Sequence, residues 1–171
     1  MGHSGGSLCP RCLGSYGADV GPLYDGADDF TVFSPREETG FVFEALKNDG
    51  TMIRKEGPFD GTLIDRSRHG PKRSFSSQEY YTYTGGNYGI CTAVNMLNEG
   101  SEKVLLIRDT YACVLQPFMS MNYREVTAID PRYYHGGTVK EYIEGHDPDA
   151  VILVTGPQTA FHEEFTEFAL G

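Results

Sequence analysis

The chain has 171 residues, about the length of one domain able to bury its own core without disulfides or metals. Fourteen Lys and Arg stand against 24 Asp and Glu, and the formal charge of -10 repels phosphate backbones and anionic lipid surfaces, which argues against nucleic acid as a partner. No apolar run approaches the ~20 residues that cross a bilayer, and the amino terminus lacks the basic start and apolar run of a signal peptide.

The opening "MGHSGGS" is small and polar, so residues 1–12 are expected to be a disordered or non-native leader. Within it, "CPRC" (Cys9 and Cys12) has the spacing of half a zinc site or a redox pair. The other two cysteines stand singly and no His pair lies at ligand spacing, so no metal and no cofactor are expected. Cys91 and Cys113 read as small buried apolar residues.

From residue 13 onward the chain has two textures. Fifteen of its 21 glycines precede Cys91, and there "FTVF", "GFVFEAL" and "TMIRKEG" are short strand signals broken by Gly, Pro, Asn and Asp. "NDGT" (Asn48 to Thr51) is the best tight turn of a hairpin. "RSRHGPKR" (Arg66 to Arg73) is a local basic cluster whose Gly70 and Pro71 mark a solvated turn. "GGN" (Gly85 to Asn87) is either turn material or a source of an amide donor.

After Cys91 the apolar runs become regular. "KVLLIRD" (Lys103 to Asp109), "REVTAID" (Arg124 to Asp130) and "DAVILVTG" (Asp149 to Gly156) predict three buried strands, with "TYACVLQPFMSMN" and "GTVKEYIEGH" as helices between them. Pro117 is expected to kink or interrupt the first helix. Strand-helix-strand units with short loops predict an α/β fold, a three-layer, doubly wound, flavodoxin-like parallel sheet with a β-rich, loop-rich N-terminal part.

Parallel strands turn their carboxyl ends to one edge, so Asp109 and Thr110, then Asp130, Arg132, Tyr133 and Tyr134, then Gly156 and Gln158 are expected to share a crevice. Residue types alone leave two readings of Asp109 and Thr110 open: they cap the following helix, or they carry chemistry.

Several separated stretches together carry a family resemblance. "LGSYGADVGPLYDGADDFTVFSP", "GPFDGTLIDRS", "YYTYTGGNYG", "KVLLIRDTYACVLQPFMSMNYREVTAIDPRYY" and "DAVILVTG" resemble, in order, the carboxyl-terminal part of bacterial DHHW proteins, relatives of the SGNH hydrolases and of the alginate O-acetylation proteins. The resemblance implies a single SGNH hydrolase-like domain over residues 13–171, incomplete at its N-terminus. It also implies a nucleophile position at Thr110 beside Asp109, where the family has serine. Its partner Asp and His are implied to lie in an upstream segment, and here no Trp occurs and no Asp is followed by His at the second or third position. Threonine crowds the attacking oxygen with a methyl group.

The implied function is a fragment of an acyl-ester hydrolase or O-acetyltransferase, inactive as given, whose substrate is an acylated glycan of the cell envelope or another small ester. Arg132, Tyr133, Tyr111, Asn87 and Gln158 are the expected substrate-binding residues, tyrosines being suited to stacking on sugar faces. The implied location is the extracytoplasmic face of a bacterial envelope, in a full-length protein anchored to the membrane, this part making no membrane contact. The alternative is a non-catalytic glycan-binding or structural module. Metal-assisted phosphoryl transfer by Asp109 and Asp130 is a third reading, short of the carboxylates such sites recruit.

Overall fold

The structure, a computed structural model, describes residues 6–12, 28–68 and 79–166. Strand β1 (Gly6–Cys12) pairs antiparallel with β2 (Asp28–Val32), so most of the expected leader lies in a two-stranded ribbon.

A six-stranded sheet forms the body. Strands β3 (Phe41–Leu46) and β4 (Met52–Gly57) make the hairpin that "NDGT" foretells. Gly50 occupies a left-handed conformation (φ +82°) that a side chain would strain, and its N–H donates to Lys47 O. A short helix α1 (Phe59–Thr62) follows and drives Phe59 into the core. Beyond it Arg66 pairs with Asp60, while the rest of the basic cluster lies largely outside the described residues.

Strand β5 (Ile90–Asn95) joins β3 antiparallel. Then come β6 (Lys103–Arg108), a 3-10 turn over Thr110–Val114, helix α2 (Leu115–Met119) and β7 (Glu125–Ile129). The expected single helix is thus split: Pro117 has no N–H to give to Cys113 O, and it stands in the first turn of α2, where that donor is not needed. Helix α3 (Val139–His146), strand β8 (Ala150–Val154) and helix α4 (Glu163–Thr166) complete the described chain.

The strand order is β4-β3-β5-β7-β6-β8. β6 is parallel to both β7 and β8, as expected, but β5, β3 and β4 run antiparallel to their neighbours. The sheet is therefore mixed α/β and not parallel throughout. The physical reason is the hairpin: a tight turn can only reverse the chain, so the glycine-rich half adds to the sheet as antiparallel strands.

Alternation along β6 sorts the core onto two faces. Leu106 packs with Phe41, Phe43, Phe59 and Ala128 beneath Val114 and Phe118 of the β6–β7 connection. Leu105 and Ile107 pack on the other face with Ile129, Val139 of α3 and Phe165 of α4. The chain thus leaves β6 over one face and leaves β7 over the other. Their loops diverge at the carboxyl ends of these two strands, the edge at which an open α/β sheet has its crevice.

Candidate functional site

Both acidic strand ends turn into this crevice fully buried. Asp109 caps the 3-10 turn: one carboxylate oxygen accepts from Tyr111 N at 2.9 Å, and the other accepts from Gly156 N at 2.7 Å. It thereby ties the end of β8 to the end of β6. A Cβ on Gly156 would fall 2.9 Å from the Tyr111 ring, so only glycine permits this approach.

With Asp109 as the cap, Thr110 is free of that role. Its Oγ1 accepts from Arg132 Nη2 at 3.0 Å and from Asn87 Nδ2 at 3.3 Å. Two donors, one of them cationic, aim at one half-buried hydroxyl oxygen and favour negative charge there. Among the described residues no His hydrogen-bonds to it.

Asp130 organises the donors. Arg132 embraces it with Nε at 2.9 Å and Nη2 at 2.7 Å, the forked geometry of a strong charge-assisted pair. The hydrogen bond to Asp130 is the main cause that holds Arg132 above the ordinary guanidinium range, and burial only partly opposes it. The Arg132 guanidinium also lies over the rings of Tyr133 (5.3 Å) and Phe165 (5.8 Å), which fix its plane. Asn87 donates to Asp130 as well, at 2.9 Å.

Asn87 reaches the crevice because β5 runs antiparallel to β7: Ile90 pairs with Ile129, so the residues before β5 lie at the edge where β7 ends. The loop that delivers it is strained. Thr84 holds a left-handed φ of 66°, unusual for a β-branched residue, and its buried hydroxyl donates to Tyr83 O. Gly89 packs so closely on the next loop that a Cβ would meet Tyr133 O at 2.1 Å.

Beneath Asn87 lies Arg108, the last residue of β6, wholly buried, with its Nη1 donating to Asn87 Oδ1 and standing 3.9 Å from Asp130 Oδ2. No motif marks it, although an arginine that closes an otherwise apolar buried strand is itself a signal for a role. Cys91 and Cys113 flank it, buried and free of disulfides, as expected of small apolar residues. Burial pushes the Cys113 thiol up to about 12 and raises that of Cys91 as well.

Of the other expected site residues, Tyr111 and Tyr133 stand at the rim, 44% and 39% exposed. Gln158 is exposed beyond Gly156 and does not join the network. A cleft of about 520 Å³ opens beside Asn87, with Tyr81, Gly86, Lys47, Asp49 and Tyr133 in its walls. Tyr133 also walls a second cleft of about 480 Å³, which reaches Tyr134, His135 and His146. No group of three His, Cys, Asp or Glu able to hold a metal occurs among the described residues. No described helix is long and apolar enough to cross a membrane.

No protein-family model matches the sequence, and no curated protein matches it. Solved structures do match the fold. PatB1 of Bacillus cereus aligns at 18% identity with a TM-score of 0.64, over 81% of this chain and 43% of that one. A structure of PatB1 with a sulfonyl adduct aligns at 17% identity and 0.67, over 96% and 50%. A DHHW family protein from Eubacterium siraeum aligns at 17% identity and 0.59, over 82% and 44%. The fold is similar to these, and the chain spans about half the length of each or less.

Proposed function

We propose that this chain is the nucleophile-bearing part of an SGNH-type acyl-ester hydrolase or O-acetyltransferase that acts on acylated glycans at the extracytoplasmic face of a bacterial envelope. The observation that carries the reading is the Thr110 oxygen, set at the β6–β7 crevice under donors from Arg132 and Asn87. The sulfonyl adduct on the similar PatB1 fold adds support, since sulfonyl groups are acyl-like electrophiles.

In this reading the residue 110 oxygen attacks the ester carbonyl and its proton passes to a histidine. Arg132 and Asn87, which donate to the residue 110 oxygen, stabilise the negative charge it gathers as its proton leaves, and the tetrahedral intermediate collapses with loss of the sugar hydroxyl, reprotonated by that histidine. Water, or a second sugar hydroxyl, then takes the acyl group from residue 110. Asp109 holds the turn, and Tyr111 and Tyr133 offer faces for the sugar, with Gln158 at the outer rim. The histidine and its aspartate belong to the upstream segment that the DHHW resemblance implies.

The test is hydrolysis of p-nitrophenyl acetate. This chain alone should turn over no ester above the buffer rate, for want of a positioned base. Joined to the Asp- and His-bearing segment it should turn over, Thr110→Ser should be faster, and Thr110→Ala should be dead. A joined protein that stays inert, or whose turnover survives Thr110→Ala, overturns the reading.

A further inference from the structure

We infer that Arg108 is a positioning residue: it locks the Asn87 side-chain amide in the one orientation that makes it a donor to the oxygen of residue 110. This rests on the proposed role of that oxygen, and it adds a residue to the apparatus that neither sequence motif nor fold similarity assigns.

A carboxamide has two nearly isosteric ends, an oxygen that accepts and a nitrogen that donates, so its orientation is set by its neighbours. On one side of Asn87 stands the Arg108 guanidinium, which can only donate, joined by the weak donor Sγ of Cys113 at 3.8 Å. On the other side stand Thr110 Oγ1 and the Asp130 carboxylate, which accept. A flipped amide would face N–H groups to the guanidinium and oxygen to the carboxylate, two repulsions in a dry site.

The cost of Arg108 supports a role beyond packing. It is 0% exposed, and among the described residues its Nε has no hydrogen-bond partner and its Nη2 meets only the Cys91 sulfur, at 3.9 Å. An apolar side chain of the same length would fill a buried strand end without that desolvation penalty. What it would not supply is a fixed donor beneath Asn87. Asp130 keeps Arg132 as a counter-ion even without Arg108, so Arg108→Met leaves no carboxylate unpaired.

The experiment reads the Asn87 side-chain N–H₂ signals by nitrogen-15 NMR in the whole chain, and so needs no turnover. In the wild type these protons should exchange slowly with solvent. In Arg108→Met they should exchange about tenfold faster or more, the equivalent of one hydrogen bond to a charged group, with backbone amides of β6 and β7 unchanged. Arg108→Lys, which keeps a buried donor, should restore most of the protection. Fast exchange in the wild type overturns the inference without any variant, and so does unchanged exchange in a folded Arg108→Met. Should Arg108→Met fail to fold, Arg108→Lys decides by whether protection is kept. Failure of the ester assay would count against the proposed function and leave this readout intact.

Discussion

The hairpin β3–β4 and the carboxyl edge of β6 and β7 both carry arginine–carboxylate pairs, and what surrounds them sets their worth. Arg54 sits between Glu44 and Glu56 with side chains 47–70% exposed, in a setting where water screens each charge. Arg108 and Asp130 are 0% exposed, and Arg132 is 22% exposed. There, removal from water costs several kcal/mol per ion unless geometry repays it. Among the described residues the fold spends that stability at the crevice, where Arg132 aims a donor at the Thr110 oxygen. A pair on the hairpin decorates a strand, whereas the buried set lines the candidate site.

The largest effect should follow from Asp130→Ala. It strands Arg108 without its counter-ion and removes the acceptor that Arg132 and Asn87 share, so chemical denaturation should show a loss of about 3–5 kcal/mol. A loss near 1 kcal/mol would mean that water reaches the network and that the contrast with the hairpin is false.

The next prediction uses the neutral thiol beside that network. Cys113 is pushed up to about 12 by burial, from an ordinary value of 9.0. An acid whose folded value is raised favours the fold fully below its unfolded value, and the advantage drains away as pH rises toward the folded one. The melting temperature should therefore fall above about pH 9. In Cys113→Ala the decline should be shallower, whatever the cavity costs at neutral pH. Equal slopes would show that the interior beneath Asn87 is not dry.

What the sequence disclosed follows the same division. Parallel strands read as continuous apolar runs, so β6, β7 and β8 and their shared edge were legible, and with them Asp109, Thr110, Asp130 and Arg132, but β8, expected to be buried, is the edge strand of the sheet and leaves Val151 and Leu153 exposed. The antiparallel joining of β5 was not legible, because its pairing is decided by the distant partner β7. Asn87 was consequently visible only as turn material, although that pairing brings it to the crevice. Arg108 escaped for a different reason: period-two patterning assigns a polar strand end to solvent, and only tertiary packing encloses this one. Of the two readings of Asp109, the capping one is visible in the structure, since one carboxylate caps a turn and clamps Gly156 at once.

Between the two extremes lies the start of α3. Thr138 Oγ1 accepts from Glu141 N, and the Glu141 carboxylate accepts from Thr138 N at 2.7 Å, an exposed contact whose geometry the backbone fixes. That backbone hydrogen bond is the main cause holding Glu141 below its usual carboxylate value. Thr138→Ala should cost about 1 kcal/mol, more than a surface ion pair and less than the buried network. A loss as small as that of the hairpin pair would make burial the sole variable, and fixed geometry irrelevant.

The smallest effect is expected at Arg54. It lies directly across the hairpin from Glu44, the register in which opposite charges on neighbouring strands help most, and it contacts Glu44 and also Glu56 at 3.7 Å. Yet both partners keep their water, and holding two long side chains together costs rotamer freedom. A double-mutant cycle of Arg54→Ala and Glu44→Ala should give a coupling of about 0.5 kcal/mol or less, and 1 M salt should erase it. The cycle must be run against Asp130→Ala in the same buffer, since salt that weakens the hairpin pair should barely touch a network that solvent does not enter. A coupling above about 2 kcal/mol on the hairpin, or an equal salt response at both places, would remove burial as the reason that one set of charges makes a site and the other does not.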